Sequence, residues 1–347
     1  MGNQPPTPAP DDAEEVRRAS ALSPEQEALA DDMAALLREQ MERDYPQPGT
    51  TRRDGHPKAL GVVRGTFTVD AELPGELAVG FFGANRGKSF DAVVRFSSAS
   101  GTPQPDTARD LRGVAVKLFE SNSPAKPTME LKPLNQSFLL LSCPTMPLGT
   151  VESFHTLVES RLRYGSMAVA AARLLARGEL WRLIHIASYG VAPDSLLDLT
   201  WHSTTPYKFG DAAQVKYKLV PSPGNPRPAA PAGARGDDYL TDGLRNVLVD
   251  QGRALAFDFF VQLRKPHMSL NDAGLLWSED ESPPRKVGTL RVPAQELQPA
   301  EVSERLAVSP GQAFPENRPL GGINLARERI YQKLSAFRHE RDGRPYL

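Results

Sequence analysis

Cysteine, net charge and long apolar runs are all scarce in this chain of 347 residues. The single cysteine, Cys143, excludes intrachain disulfides, a CxxC redox pair and a thiolate zinc site together. It lies in the apolar run Phe138-Leu139-Leu140-Leu141-Ser142-Cys143, where a free thiol reads as core filler. Lys and Arg number 41 against 42 Asp and Glu, a formal net charge of −1. That near-neutral balance argues against a nucleic-acid binder, which needs a basic stripe to displace phosphate counterions. No run reaches 18 apolar residues, which excludes a helical membrane span. The start, Met1-Gly2-Asn3-Gln4-Pro5-Pro6, has neither the basic nor the apolar part of a secretory signal, and Pro6 stands where myristoylation wants Ser or Thr. The expected location is cytoplasmic. No internal repeat is present.

What is present is 40% hydrophobic content, enough for a substantial core, with 27 glycines and 32 prolines that make the chain rich in loops. Residues 1–22 are rich in Pro, Ala and Asp and read as a disordered arm, leaving 23–347 as one domain. Ser23-Pro24-Glu25-Gln26 opens a helix over 23–45: Ser23 caps, Pro24 takes the first turn, and Gln26 completes a capping box. Leu29, Met33, Leu36, Leu37 and Met41 give that helix one apolar face. Strand patterns follow at 61–69, 91–97, 113–119, 138–142, 213–220, 255–263 and 287–292. A helical block occupies about 150–190, a shorter helix 238–252, and a last helix 322–340. Strands thus come in two runs, about 60–142 and 205–292, with helices inserted rather than alternating. That order favours an antiparallel α+β fold, open or closed as a barrel, over a doubly wound sheet.

Three segments are candidates for chemistry. Gly83-Ala84-Asn85-Arg86-Gly87-Lys88-Ser89 has three residues between its glycines where a phosphate loop needs four, and it runs into a strand, so it reads as a hairpin turn. In Val93-Val94-Arg95-Phe96-Ser97, period two puts Arg95 and Ser97 on one face and Val94 and Phe96 on the other. Either Arg95 lies on an exposed sheet face, or it points inward, where a guanidinium needs an anion to meet it. On the last helix, Arg327, Tyr331, Leu334 and Arg338 fall within roughly 60° of one another, beside Ile330 and Phe337. That stripe is either an arginine-bordered core face or a place where two guanidinium groups and a phenol meet something anionic or metallic. A cation one turn before a tyrosine lowers the phenol's pKa.

Taken together, these segments resemble one family. His56-Pro57-Lys58-Ala59-Leu60-Gly61, followed by Gly65-Thr66-Phe67-Thr68-Val69, resembles the segment of haem catalases that carries the distal histidine. Arg95-Phe96-Ser97-Ser98-Ala99-Ser100-Gly101 resembles their next strand. Asp106-Thr107-Ala108-Arg109-Asp110-Leu111-Arg112-Gly113-Val114-Ala115-Val116-Lys117 is similar to a segment close to a family signature, and Arg327-x-x-x-Tyr331 matches the motif supplying the proximal iron ligand. The resemblance is strong over about 50–155, fair over 205–220 and 255–343, and faint in the central helices. The chain is shorter than a mainstream catalase and looks most like the compact catalase-related proteins, which include peroxidases and fatty-acid hydroperoxide enzymes.

The resemblance implies an antiparallel eight-stranded β-barrel with surrounding helices, a haem b pocket beside it, and 322–340 as the proximal haem helix. It implies that His56 moves a proton between the peroxide oxygens, for which an imidazole of pKa near 6.5 is suited, and that Ser97 holds its ring. Arg53, Arg95 and Arg338 would pair with the haem propionates and Phe154 would pack over the macrocycle. Tyr331 would bind the iron as phenolate, with Arg327 keeping it ionised. There is one departure. Catalases place an asparagine on the distal side, and the matching stretch here reads Leu141-Ser142-Cys143-Pro144; the nearest asparagine, Asn135, comes too early. Losing such a preorganised donor reduces a rate on the order of a hundredfold. The implied function is a haem-dependent, peroxide-processing oxidoreductase, catalase-like or peroxidase-like, acting on hydrogen peroxide or an organic hydroperoxide. An organic reductant and a second copy of the chain are its candidate partners. A haem-binding sensor or store with little turnover is the alternative, and a catalase-shaped protein without haem is a third reading.

Overall fold

Period-two alternation of β-branched and aromatic residues decides the architecture. The computed structural model describes residues 12–120, 133–146, 148–229 and 235–345. Its strands are β1 Ala59–Val69, β2 Ser89–Ser98, β3 Arg112–Phe119, β4 Pro133–Leu141, β5 Trp201–His202, β6 Tyr207–Phe209, β7 Ala213–Pro221, β8 Leu255–Leu263 and β9 Arg285–Val292. All pair antiparallel, in the order β5-β4-β3-β2-β1-β9-β8-β7-β6. β5 also pairs with β7 through Trp201 and Leu219, which closes eight strands into a barrel and leaves β6 as the outer arm of a hairpin on β7. β5 and β6 are two and three residues long, too short to give a sequence pattern, and they raise the strand tally above the seven expected. Around the barrel run α1 Asp12–Ala19, α2 Pro24–Asp44, α3 Gly80–Ala84, α4 Val151–Leu162, α5 Met167–Ala176, α6 Trp181–Tyr189, α7 Tyr239–Arg245, α8 Ala300–Arg305 and α9 Gly322–Asp342.

Two expectations are corrected. Residues 12–19, assigned to a disordered arm, form α1, because its contacts are made far away in sequence. Glu15 accepts from the Leu270 amide at 2.8 Å, and Arg264 pairs with Asp12 at 2.6 Å. Residues 1–11 lie outside the described part. The 83–89 segment is not a tight hairpin either: α3 precedes it and drives Phe81 and Phe82, both fully buried, into the barrel's aromatic filling. The helix expected from the Ser23 capping box is present, with both reciprocal hydrogen bonds.

The barrel is filled. Phe67 and Phe259 meet edge-on at 5.3 Å, Phe138 and Phe259 at 4.6 Å, and Phe138 and Tyr217 at 5.2 Å, so no ligand space remains on the axis. The site lies outside. In β2, Val94 and Phe96 point into the barrel cluster, so Arg95 and Ser97 face outward, as the alternation requires. The register places Arg95 opposite Ala115 and Ser97 opposite Gly113, with Ala115 opposite Leu139 and Gly113 opposite Leu141. These outward residues form a sheet wall, which α2, α4 and α9 cover. Those helices are stitched together by Met33, Leu37, Val158, Ala326 and Ile330. No helix among the described residues is long and apolar enough to cross a membrane.

Candidate functional site

Between the sheet wall and the helices lies a cavity of about 360 Å³. It is lined by every site residue singled out in the sequence: Arg53, His56, Arg95, Ser97, Phe154, Arg327, Tyr331 and Arg338. They come from positions nearly 300 residues apart, so the fold and not local sequence brings them together.

His56 ends the loop before β1 with a positive φ of 61°, a left-handed conformation that residues other than glycine adopt only when their surroundings enforce it. Arg95 does part of the enforcing by donating from Nη2 to the His56 carbonyl at 2.7 Å. His56 Nδ1 lies 3.0 Å from Ser97 Oγ, which in turn lies 3.4 Å from the Gly113 carbonyl. A hydroxyl carries one proton. When Ser97 gives it to that carbonyl, it accepts from Nδ1–H, and Nε2 keeps the lone pair. Burial, reinforced by the positive fields of Arg95, Arg327 and Arg53, pushes the imidazole pKa down to about 3. The ring is neutral at any physiological pH.

Gly113 faces that ring, and sequence reasoning did not single it out. A Cβ at this position would stand 2.5 Å from His56 Cε1 and 2.8 Å from Nδ1, closer than non-bonded carbon and nitrogen approach. Gly113→Ala is therefore expected to dislodge the imidazole from Ser97 and to destabilise the chain by about 1–3 kcal/mol, as overpacking does. A urea midpoint equal to that of the parent would contradict this.

The arginines converge on α8, another element the sequence did not reveal. Arg53 Nη2 donates to the Ser303 carbonyl at 2.6 Å and also to the Leu306 carbonyl, while Arg95 Nε donates to Ser303 Oγ at 2.9 Å. Arg338 donates to the Glu304 carbonyl, and the Glu304 carboxylate lies 3.3 Å from Arg338 Nη1 and 3.8 Å from Arg53 Nη1. One carboxylate thus meets two buried guanidinium groups and acts on a third, Arg95, only at longer range. Arg53 Nη1 is buried and has no hydrogen-bond partner among the described residues. Burial, with repulsion from Arg95 and Arg338, drives the Arg53 pKa well below its ordinary value, and burial brings Arg95 down to about 10. A buried guanidinium nitrogen without a hydrogen bond, as at Arg53, suits an anion. Asp54, on the same cavity, is raised to about 6 by its burial.

Tyr331 is half-buried on α9, and its hydroxyl makes no hydrogen bond among the described residues. Arg327 holds its guanidinium carbon 5.7 Å from the Tyr331 ring centre. It is steadied by Thr205 Oγ1 at 3.3 Å and Asn324 Oδ1 at 3.5 Å. Thr205 belongs to the strained turn after β5, where Thr204 has φ 59°. Phe154 reaches the cavity from α4.

On the sheet wall, Leu141 lines the cavity where an amide was sought. Ser142 is turned away, accepting from the Arg112 amide at 3.0 Å. Asn135 points to the Ala313 carbonyl at 3.5 Å. Cys143 is buried filler: burial pushes its thiol up to about 12, and Sγ donates to the Thr145 carbonyl at 3.2 Å. Among the described residues no group of His, Cys, Asp and Glu is arranged to hold a metal ion, so a metal here needs a ligand of another type.

No protein-family model matches the sequence, and no curated protein matches it. Solved structures do match. A fungal catalase superposes with a TM-score of 0.65 at 16% identity, over 84% of this chain and 60% of that one. Catalase A from Saccharomyces cerevisiae gives 0.65 at 15% identity, over 84% and 62%. A bacterial catalase gives 0.58 at 17%, over 88% and 59%. The chain thus spans about three-fifths of the length of these catalases. At such identities the likeness is one of architecture. The eight-stranded antiparallel barrel, the cavity on its outer face and the helices that cover it make this chain a member of the catalase fold.

Proposed function

We propose that this protein is a haem-dependent oxidoreductase that processes peroxides in the manner of a catalase or peroxidase. The observation that carries the reading is the meeting, in one apolar cavity, of a neutral imidazole, a phenol without a hydrogen bond and an arginine cluster in which Arg53 Nη1 has no hydrogen-bond partner among the described residues. A haem b asks for these features: two carboxylates to be neutralised, an apolar slot and an axial ligand. Arg53, Arg95 and Arg338 would hold the propionates, Phe154 and Leu334 would border the macrocycle, and Tyr331 would ligate the iron. Arg327 supplies positive charge beside that ligand. Bound there, haem supplies the iron at which a peroxide O–O bond breaks.

His56 does the proton work. With Nδ1–H committed to Ser97, Nε2 is the free base that takes a proton from one peroxide oxygen and returns it to the other. Leu141 donates nothing, so orientation of the peroxide falls to His56 alone. This arrangement favours a slow catalase, or a peroxidase that uses an organic reductant. The same leucine favours the second reading, a haem-binding sensor or store with little turnover.

The test is oxygen release per haem by the purified chain, with and without an organic donor, for the parent and for Leu141→Asn. Restoring the amide is expected to raise oxygen release by up to roughly a hundredfold. A parent that already releases oxygen as fast as a large catalase would overturn the role given to Leu141. A chain that takes up no haem would overturn the proposal as a whole.

A further inference from the structure

One helix on this protein is built inside out, and its neighbour in sequence leaves large apolar side chains exposed. α6, Trp-Arg-Leu-Ile-His-Ile-Ala-Ser-Tyr, buries a single residue, and that residue is charged: Arg182, paired with Asp272 at 2.7 Å and Glu179 at 3.4 Å. Its apolar residues stay wet, with Ile184 65% exposed and Trp181, Leu183 and Ile186 half-buried. α5 buries only Ala170 and Leu174, leaving Met167 51% and Leu175 61% exposed. Tyr164, just before α5, is also exposed. Two further exposed large apolar residues, Leu275 and Leu276, come three and four positions after Asp272, the partner of Arg182. Large apolar side chains left in water on two consecutive helices mark an interaction surface.

Its charge indicates the partner. Residues 161–189 carry Arg161, Arg163, Arg173, Arg177 and Arg182; Arg163 and Arg173 are paired with Glu159, and Arg182 with Asp272. Arg161 and Arg177 have no carboxylate within ion-pair distance among the described residues; Asp54 acts on Arg161 only at longer range. Short helices with arginines interleaved among exposed Leu, Ile, Met and Tyr have the composition of segments that lie in a membrane interface. Position agrees: Arg161, three residues before Tyr164 in sequence, is exposed and also lines the cavity.

We propose that the α5–α6 face docks on the surface of a membrane containing anionic lipid. Tyr164, Met167, Leu175 and Ile184 enter the boundary between headgroups and acyl chains, and Arg161 and Arg177 meet lipid phosphates. The cavity then opens toward the bilayer, and an apolar ligand enters without crossing water. Docking of this kind is independent of any peroxide chemistry.

The test is co-sedimentation of the purified full chain with vesicles of phosphatidylcholine alone and of phosphatidylcholine mixed equally with phosphatidylglycerol. Binding is expected to the mixed vesicles at low salt and to weaken as salt rises. The double variant Leu175→Glu/Ile184→Glu is expected to bind at least about tenfold more weakly. Both side chains are exposed, so the variant keeps the parent's thermal midpoint. Absence of binding to the mixed vesicles, or equal binding by the variant, overturns the proposal. So does a dimer in sedimentation velocity that the double variant dissolves, because the face would then take a second copy of the chain.

Discussion

Tyr331→Phe is expected to leave the purified chain unable to retain haem. The substitution removes one hydroxyl that makes no hydrogen bond among the described residues, and it keeps the ring that packs between α2, α4 and α9. The fold should therefore survive, with a urea midpoint close to the parent's. The ligand should not. If Tyr331 ligates the iron as proposed, its loss would lower haem affinity by more than the roughly 10–100-fold that loss of a merely supporting residue brings. The arginine cluster alone still attracts the propionates, which predicts weak, non-stoichiometric uptake with an altered spectrum. Arg327→Leu should retain more haem but shift the visible bands, because the ligand loses its neighbouring cation. The measurements are haem per chain after reconstitution and the absorption spectrum. Parental haem content and spectrum in Tyr331→Phe would remove the tyrosine from the site.

How much of this was legible in the sequence depended on whether the signal was local. The Ser23–Gln26 capping box, the parity of Arg95 and Ser97 in β2, and the Arg327-Tyr331-Leu334-Arg338 stripe are all set by backbone period, and the structure has all three. What escaped was set by partners distant in sequence. α1 is eight residues long and offers only Val16 and Ala19 to the core, against Leu270 and Trp277; its other hold on the protein is a carboxylate that caps the 269–271 turn. α8 is six residues long and offers Ser303 and Glu304 to arginines that begin 250 residues earlier. Gly113 looks like any strand glycine until the His56 ring is laid against it. Leu141 and Ser142 could not be told apart by sequence alone. Their alternation decides: Leu141 takes the outward parity of the sheet wall, and the Ser142 hydroxyl is spent on the Arg112 amide.

His56→Ala is expected to lower peroxide turnover by about 10²–10⁴-fold, the usual contribution of a positioned acid–base group, while haem content stays at the parental level. Haem should stay because Arg95 grips the His56 main-chain carbonyl and not its ring, so the arginine cluster survives the truncation. Alanine also sits poorly at φ 61°. His56→Asn is the companion variant, since asparagine tolerates that conformation and equally lacks the imidazole. The acid limb of the parent's rate profile follows from the same residue. Its pKa falls from 6.5 in the unfolded chain to about 3 in the folded one. The ring therefore remains a base from pH 8 down to pH 5, and no loss of rate from its protonation is expected in that range. Stability carries the opposite signature. Between pH 6.5 and 3 the unfolded chain binds the proton and the native one does not. The contribution is therefore whole above 6.5 and is lost as pH falls toward 3. His56→Asn should be less sensitive to acid over that window than the parent. A bell-shaped rate profile with an acid limb near 6.5 would mean that the imidazole is not buried as described.

The cavity's two walls are made at different times. Residues 53–141 supply the sheet wall, but Tyr331, Arg327 and Arg338 ride on α9, which packs against α2 and α4 near the end of the chain. A chain made only as far as residue 320 has α2, α4 and α8 in hand but lacks the α9 side of the cavity. Anything held from both sides of the cavity would be gripped only once α9 has been made, and a nascent chain stalled before α9 would be a natural client for chaperones. α9, Gly322–Asp342, is the latch of the site.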